Sequence, residues 1–216
     1  VLIGTESITN NGRSVGGSRQ NYYSTDVDYR TLNTGTSNLL NYSNFYEDAL
    51  FSLFSRLDYS YENKYLAGVT VRRDGSSRFG SENRYGIFPS FSLGWRISEE
   101  SFMQDVSWLN DLKFRGSYGV LGSQNNVNPE NQFDLFGGSI GNAYYDIRGT
   151  GNSAVQGFFQ TRSGNTRTGW ERNIVSNVGF DASILNYKID LSVEYYNKSI
   201  DGLLFVQPTL ATAGGA

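Results

Sequence analysis

Hydrophobic residues recur at every second position through most of this chain. From about Leu50 to Tyr61, Phe51, Leu53, Leu57, Tyr59 and Tyr61 fall on one side of the alternation, and Ser52, Arg56, Asp58 and Ser60 on the other; Phe54 and Ser55 break the rule. Tyr65, Ala67, Val69 and Val71 alternate with Gly68, Thr70 and Arg72, and Phe91, Leu93, Trp95 and Ile97 with Ser90, Ser92, Gly94, Arg96 and Ser98. Leu112, Phe114, Tyr118 and Val120 are set against Lys113, Arg115, Ser117 and Gly119. Late in the chain two further apolar sets, Ile174, Val178, Phe180, Ala182, Ile184 and then Ile189, Leu191, Val193, Tyr195, oppose Asn177, Asp181, Ser183 and then Asp190, Ser192, Glu194, Lys198. Successive side chains of a strand point to opposite faces, so a period of two sustained this long predicts strands with one apolar and one polar face. The predicted fold is all-β and antiparallel.

Parity across the turns sharpens the prediction, because directly opposed residues share a face. Continuous apolar faces require Tyr61 opposite Tyr65 around Glu62-Asn63-Lys64. They also require Ile184 opposite Ile189 and Leu185 opposite Lys188, around Asn186-Tyr187. Both are hairpin-sized loops. At the other end the links are long, roughly residues 10–46, 74–89 and 121–172, and rich in Asn, Gly and Ser, which counts against a compact soluble domain. Residues 98–111 lie on the short-turn side, yet Ser98 followed by Glu99 and Glu100 resembles a helix N-cap. Phe102, Val106 and Leu109 have helical spacing, so one or two helical turns are expected there.

Short turns at one end, long polar loops at the other and an apolar face about ten residues tall describe a transmembrane β-barrel of the outer-membrane type. The polar faces carry Arg56, Asp58, Arg72, Arg96, Lys113, Arg115, Asp181, Asp190 and Glu194, charges suited to a wet or plugged lumen. Tyr59, Tyr61, Tyr65 and Tyr187 gather near the short turns, as an interfacial girdle would. A secreted β-sandwich binding module or adhesin, with the aromatic face as its core, is the alternative the same alternation allows.

Composition narrows the chemistry. The 216 residues include no Cys, no His, one Met and three Pro, but 25 Gly, 15 Tyr, 14 Phe and 3 Trp. No disulfide framework, Cys or His metal site, or Ser-His-Asp or Cys-His nucleophile can be built from them, and no cofactor is expected. With 18 basic and 21 acidic residues the net charge is −3, which leaves no footprint for nucleic acid. Glu99 and Glu100 adjoin and point apart, so no glycosidase pair is expected, although a glycan-cleaving site using Asp181, Asp190 and Glu194 stands as a third reading. No apolar run approaches the length of a spanning helix. The chain opens Val1-Leu2-Ile3-Gly4, without initiating Met or leader, and ends Ala213-Gly214-Gly215-Ala216 as if within a loop, so a piece of a longer protein is expected.

The string RRDGSSRFGSENRYGIFPSFSLGWRISEESFM at residues 72–103 closely resembles the SusC/RagA family of TonB-dependent outer-membrane transporters. RLDYSYENKYLAGVTV at 56–71, WLNDLKFRGSYGVLGSQ at 108–124, GWERN from Gly169 and VGFDASILNYKIDLSVEYYNKSIDGLL ending at Leu204 extend the resemblance over about two thirds of the chain. It implies that residues 1–216 are part of a barrel domain of 22 strands closed by a plug. About seven strands lie in this chain if Val1 to Ile3 end one. It further implies import of large nutrients, glycan or peptide, with a SusD-like surface lipoprotein as lid, TonB acting through the plug, and outer-membrane lipid around the wall. The polar-face charges named above would then face lumen and plug, in a basic sector (Arg56, Arg72, Arg96, Lys113, Arg115) and an acidic one (Asp181, Asp190, Glu194). Within residues 72–78 the reading is structural, with Asp74-Gly75 turning the chain and the arginines paired to carboxylates. In the long 121–172 link, Tyr144, Tyr145, Arg148, Phe158, Phe159 and Arg162 are the candidates to meet cargo or lid.

Overall fold

The computed structural model describes residues 1–138, 143–151 and 153–205. Eleven strands occur among them: β1 (Leu2–Tyr22), β2 (Gly35–Tyr61), β3 (Tyr65–Ser76), β4 (Tyr85–Arg96), β5 (Leu109–Ser123), β6 (Leu135–Gly137), β7 (Tyr144–Asp146), β8 (Ala154–Gln156), β9 (Phe159–Arg162), β10 (Glu171–Ile184) and β11 (Ile189–Asp201). Seven form one sheet in the order β1-β2-β3-β4-β5-β10-β11, while β6 pairs with β9 and β7 with β8. The chain divides into two compact units, Val1–Ser7 with Leu50–Ala216, and Ile8–Ala49.

In the larger unit the antiparallel ladders run in the register that parity requires. Tyr61 opposes Tyr65 and Ile184 opposes Ile189. Tyr59, Ala67, Leu93, Gly116, Val178 and Tyr195 form one row across six strands, and Tyr61, Tyr65, Trp95, Phe114, Phe180 and Val193 the next. These rows are not covered by protein: Leu93 is 69% exposed and Tyr195 73%. A sandwich would bury one such face against a second sheet, so the sandwich alternative fails. The apolar residues that are buried, Phe79, Phe88, Val120, Val127 and Ala143 among the described residues, lie toward the long-loop end. Phe54 is no register fault, since the β2–β3 ladder is continuous from Leu50 to Tyr61. The Phe54 ring stands on the polar face against Gly4, where a Cβ would come within 2.6 Å of it, and 5.8 Å from the Arg72 guanidinium.

Several local expectations are corrected. The β10–β11 turn has four residues, because Leu185, Asn186 and Tyr187 all take left-handed φ (54°, 56°, 59°) and Lys188 N–H donates to the Ile184 carbonyl; Leu185 is not extended and cannot pair with Lys188. At the β2–β3 turn Glu62 and Asn63 are left-handed, as a type I′ hairpin turn demands. The long links are shorter than alternation suggested. The hairpin of β1 and β2 is longer than any apolar band, so residues 10–46 are mostly strand, and Leu2 begins β1 rather than ending a strand. Asp74 and Gly75 continue β3, pairing with Gly86 and Tyr85; the bend comes at residues 77–84. The one or two helical turns expected between Arg96 and Leu109 are present, as two single 3-10 turns, Ile97–Glu99 and Ser101–Met103, and only the cap is corrected. Ser98 does not cap them: its hydroxyl donates to Asp111 (2.7 Å).

Candidate functional site

The polar face is built in rows like the apolar one. In the row of Leu66, Gly94, Arg115, Gly179 and Glu194, the bare Gly179 lets Arg115 reach across β10 to Glu194 at 2.8 Å. The same guanidinium donates through Nε to Asp181 (3.1 Å), whose other oxygen accepts from the Ser192 hydroxyl (2.8 Å). One row toward the short turns, Lys113 lies between Arg96 and Asp181 in the ladder, Arg96 is 3.9 Å from Asp111, and Asp190 accepts from the Ser183 hydroxyl (2.6 Å). Arg56 and Asp58, two residues apart on β2 and hence on one face, pair at 2.8 Å with both side chains about 60% exposed. Arg72 engages three side chains. It donates to Asp74 (2.7 Å), Glu6 (2.8 Å) and the Ser52 hydroxyl (2.8 Å), and Ser52 is fully buried.

The nine charges therefore share one face, the five basic ones on the adjacent strands β2–β5, with Asp58 among them, and Asp181, Asp190 and Glu194 on the neighbouring β10 and β11. Arg115 lies between two of the three carboxylates assigned to the acidic side. Half-exposed ion pairs of this kind contribute at most about 1 kcal/mol each, so their effect is to neutralise the wall and fix side-chain positions rather than to hold the sheet together. Glu6, Asp74 and Ser52 are partners that alternation alone did not single out.

At the long-loop end the β3–β4 turn is knitted to the 124–170 segment. Phe79 is fully buried, its ring 4.9 Å from that of Trp170, which in turn lies 5.3 Å from Phe88. Phe88 fills the space left by Gly86 and Gly122, where added Cβ atoms would stand 2.4 and 2.1 Å from the ring. Gln132 donates to the Ser77 carbonyl (2.8 Å), Arg78 to that of Val127 (2.8 Å), Asn83 to that of Arg167 (3.0 Å) and Trp170 Nε1 to that of Arg84 (3.2 Å). Arg73 lies 4.1 Å over the Tyr85 ring. The run at residues 72–78, expected to turn at Asp74-Gly75, instead continues β3, and residues 77–84 clasp the loop.

The candidate cargo residues lie on or beside the two small ladders, β7–β8 and β6–β9, with Phe158 in the link between β8 and β9. Tyr145 opposes Val155, and its ring covers Gly157, whose N–H donates to the Ala143 carbonyl (2.6 Å). That contact brings Tyr144 and Tyr145 close to the segment carrying Phe158 and Phe159. Tyr145 and Phe158 are 63% and 67% exposed, while Phe159 is half-buried opposite Gly137. Arg148 lies at the exposed tip of β7–β8. Arg162 ends β9, half-buried and 3.8 Å from Glu130, so the two arginines are not brought together. Asp146 accepts from the Ser153 hydroxyl and from Gly151 N–H, which holds its carboxyl below the ordinary aspartate range and closes the tip. On the short-turn side Glu100 accepts from the Tyr65 hydroxyl (2.7 Å) and Trp95 Nε1 (3.0 Å), with Lys64 3.7 Å away. These contacts lower its pKa, the Tyr65 bond first. Glu99, the next residue back, is exposed. Among the described residues no cluster of acidic side chains could hold a metal ion.

A sheet that leaves rows of Leu, Val, Phe and Tyr uncovered on one face, carries mutually paired charges on the other, and has tight turns at one end only is the wall of a transmembrane β-barrel. Known proteins agree. No family model matches the chain. It is 39% identical over 160 residues to a TonB-dependent receptor of Formosa agariphila, covering 74% of this chain and 14% of the relative, and 38% identical over 157 residues to the TonB-dependent receptor SusC of Bacteroides thetaiotaomicron, covering 73% and 15%. The solved RagAB peptide transporter superimposes over 98% of this chain and 22% of its own, with a TM-score of 0.81 at 28% identity. The chain belongs to the SusC/RagA family of TonB-dependent receptors, proteins of the bacterial outer membrane. It spans less than a fifth of the length of the curated relatives it matches.

Proposed function

We propose that residues 1–216 are part of the barrel domain of an outer-membrane TonB-dependent importer of large nutrients, glycan or peptide. The observation that carries this reading is the match over nearly the whole chain to a peptide transporter, in the same collinear order as the curated receptors. The relatives named are receptors and transporters, and the wall is assigned no catalysis. In the complete protein the Arg56, Asp58, Arg72, Arg96, Lys113, Arg115, Asp181, Asp190 and Glu194 face lines the lumen and meets the plug, on which TonB pulls. A SusD-like lipoprotein closes the mouth, and Tyr144, Tyr145, Arg148, Phe158, Phe159 and Arg162 shape the rim that cargo and lid contact. Exposed aromatic rings suit stacking on sugar or clamping peptide, and the 63–67% exposure of Tyr145 and Phe158 supports giving them this role.

The test uses the complete transporter with its lipoprotein. Tyr145→Ala with Phe158→Ala is expected to lower uptake of the cognate nutrient about five- to 150-fold, since each ring contributes roughly 0.5–1.5 kcal/mol and a tenfold change is about 1.4 kcal/mol. Heat-modifiable gel migration should be unchanged. Full uptake with both rings removed would overturn the assignment of these residues, and absence of any energy-dependent uptake by the complete system would overturn the importer reading itself.

A further inference from the structure

Glycines in the main sheet differ in what stands where the side chain is missing. At Gly75, Gly86 and Gly122 a ring of the protein occupies the place of the missing side chain: Tyr85 at 2.4 Å, and Phe88 at 2.4 and 2.1 Å. Gly116 is different. It lies on the apolar face, opposite Leu93 on one side and Val178 on the other, and a Cβ built on it would meet only the Asn177 carbonyl oxygen, at 3.6 Å. Leu93 and Val178, 69% and 56% exposed, stand as ridges on either side of an unfilled notch. Trp95 and Phe114 close it toward the short turns, Phe91 and Tyr118 toward the loops, and a hollow of about 630 Å³ extends past Leu93 over Ala67.

We propose that the Gly116 notch seats one fatty acyl chain of an outer-membrane phospholipid, taken from the leaflet on the short-turn side. The notch is continuous with the face that residence in the outer membrane covers with lipid, so its occupant is a membrane component. The side chains standing around it on that face are hydrocarbons and aromatic rings, whose polar atoms are Tyr hydroxyls and Trp95 Nε1, with Tyr65 and Trp95 already bonded to Glu100. A sugar or peptide backbone would therefore leave most of its polar groups without partners, whereas a methylene chain satisfies the notch fully. An unfilled notch would forfeit the dispersion contacts of its walls, and one chain is about as wide as the absent side chain. The leaflet follows from depth. Gly116 is two residues, about 7 Å of strand, above the row of Tyr65 and Trp95, whose polar ends are tied to Glu100 and mark the interface.

The experiment reconstitutes the complete transporter with a phosphatidylethanolamine carrying a nitroxide near the end of one acyl chain, and compares wild type with Gly116→Leu. That variant fills the notch, and its Cβ would meet nothing nearer than the Asn177 carbonyl oxygen at 3.6 Å. Spin-label spectra are expected to show one more motionally restricted chain per barrel in wild type, and retention of the lipid through detergent exchange is expected to fall about tenfold or more in the variant. Heat-modifiable migration verifies that the variant is folded; if it is not, Leu93→Ala, which removes one wall, must weaken retention instead. Equal numbers of restricted chains overturn the proposal. So does displacement of the label by lipopolysaccharide but not by phospholipid, or conversion of a dimer to a monomer by Gly116→Leu with bound lipid unchanged.

Discussion

Phe79→Ala separates the stability of the loop from that of the wall. The Phe79 side chain is fully buried, 4.9 Å from Trp170, in a cluster that ties the 77–84 turn to the 124–170 segment. Removing a fully enclosed ring costs roughly 3–5 kcal/mol, the lost transfer energy plus the cavity left behind. None of that loss falls on the β3–β4–β5 ladders, whose backbone hydrogen bonds do not involve Phe79. It falls on the equilibrium between clasped and released loop. At about 1.4 kcal/mol per tenfold, opening rises roughly a hundred- to several-thousand-fold. Amide hydrogen exchange on the complete protein in a lipid nanodisc reads this directly. Asn165, whose N–H donates to the Asn131 carbonyl at 2.8 Å, and Val127, bonded to the Gln124 carbonyl at 3.0 Å, should exchange faster by about that factor, and ladder amides such as those of Val69 and Phe91 by less than about tenfold. Unchanged protection at Asn165 and Val127, or acceleration spread evenly over ladder and loop, would refute the clasp.

Two other outcomes follow from the charged groups. Arg115→Met should lower barrel stability in urea by no more than about 2 kcal/mol, because its two partners are only half-buried, and Asp181→Asn in that background should recover part of the loss. A loss above about 4 kcal/mol would mean that the guanidinium holds a deeper partner than the sheet supplies. Glu100, with its pKa depressed in the folded protein, contributes stability that is fully present above the ordinary glutamate value of about 4.3 and is lost as pH falls through its lower folded value. Acid titration followed by Trp95 fluorescence should show a transition below that ordinary value in wild type, shifted upward in Tyr65→Phe and absent in Glu100→Gln; a wild-type midpoint at or above it would contradict the geometry.

The membrane-facing part of the fold was legible because lipid imposes a strict rule on one face. Parity alone placed Tyr61 against Tyr65 and Ile184 against Ile189, and it put Arg115, Asp181 and Glu194 on a common face. Beyond the lipid the rule lapses: β1 and β2 between residues 8 and 49 have water-facing positions on both sides, and the missing alternation concealed strands. Asp74-Gly75 resembled a turn in composition, but Gly75 is there to admit the Tyr85 ring. Phe79, a single aromatic in a polar stretch, gave no periodic signal, because its burial depends on a Trp some ninety residues later. The reach of Arg115 to Glu194 depends on Gly179, an absence of side chain that composition does not weigh.

The unit from Ile8 to Ala49 contains Gly12 beneath the Tyr46 ring and Gly16 beneath the Tyr42 ring, added Cβ atoms there coming within 2.5 and 2.1 Å. Four residues separate the glycines on one strand and the tyrosines on the other, so both rings seat together or not at all. A ribbon polar on both faces has little to discourage its strands from slipping past each other. Sliding by two would drive Tyr46 onto Asn10 or Ser14, and Tyr42 onto Ser14 or Ser18. The paired rings therefore act as detents, giving a misaligned pair of strands a steric cost where no hydrophobic stripe is present to supply one.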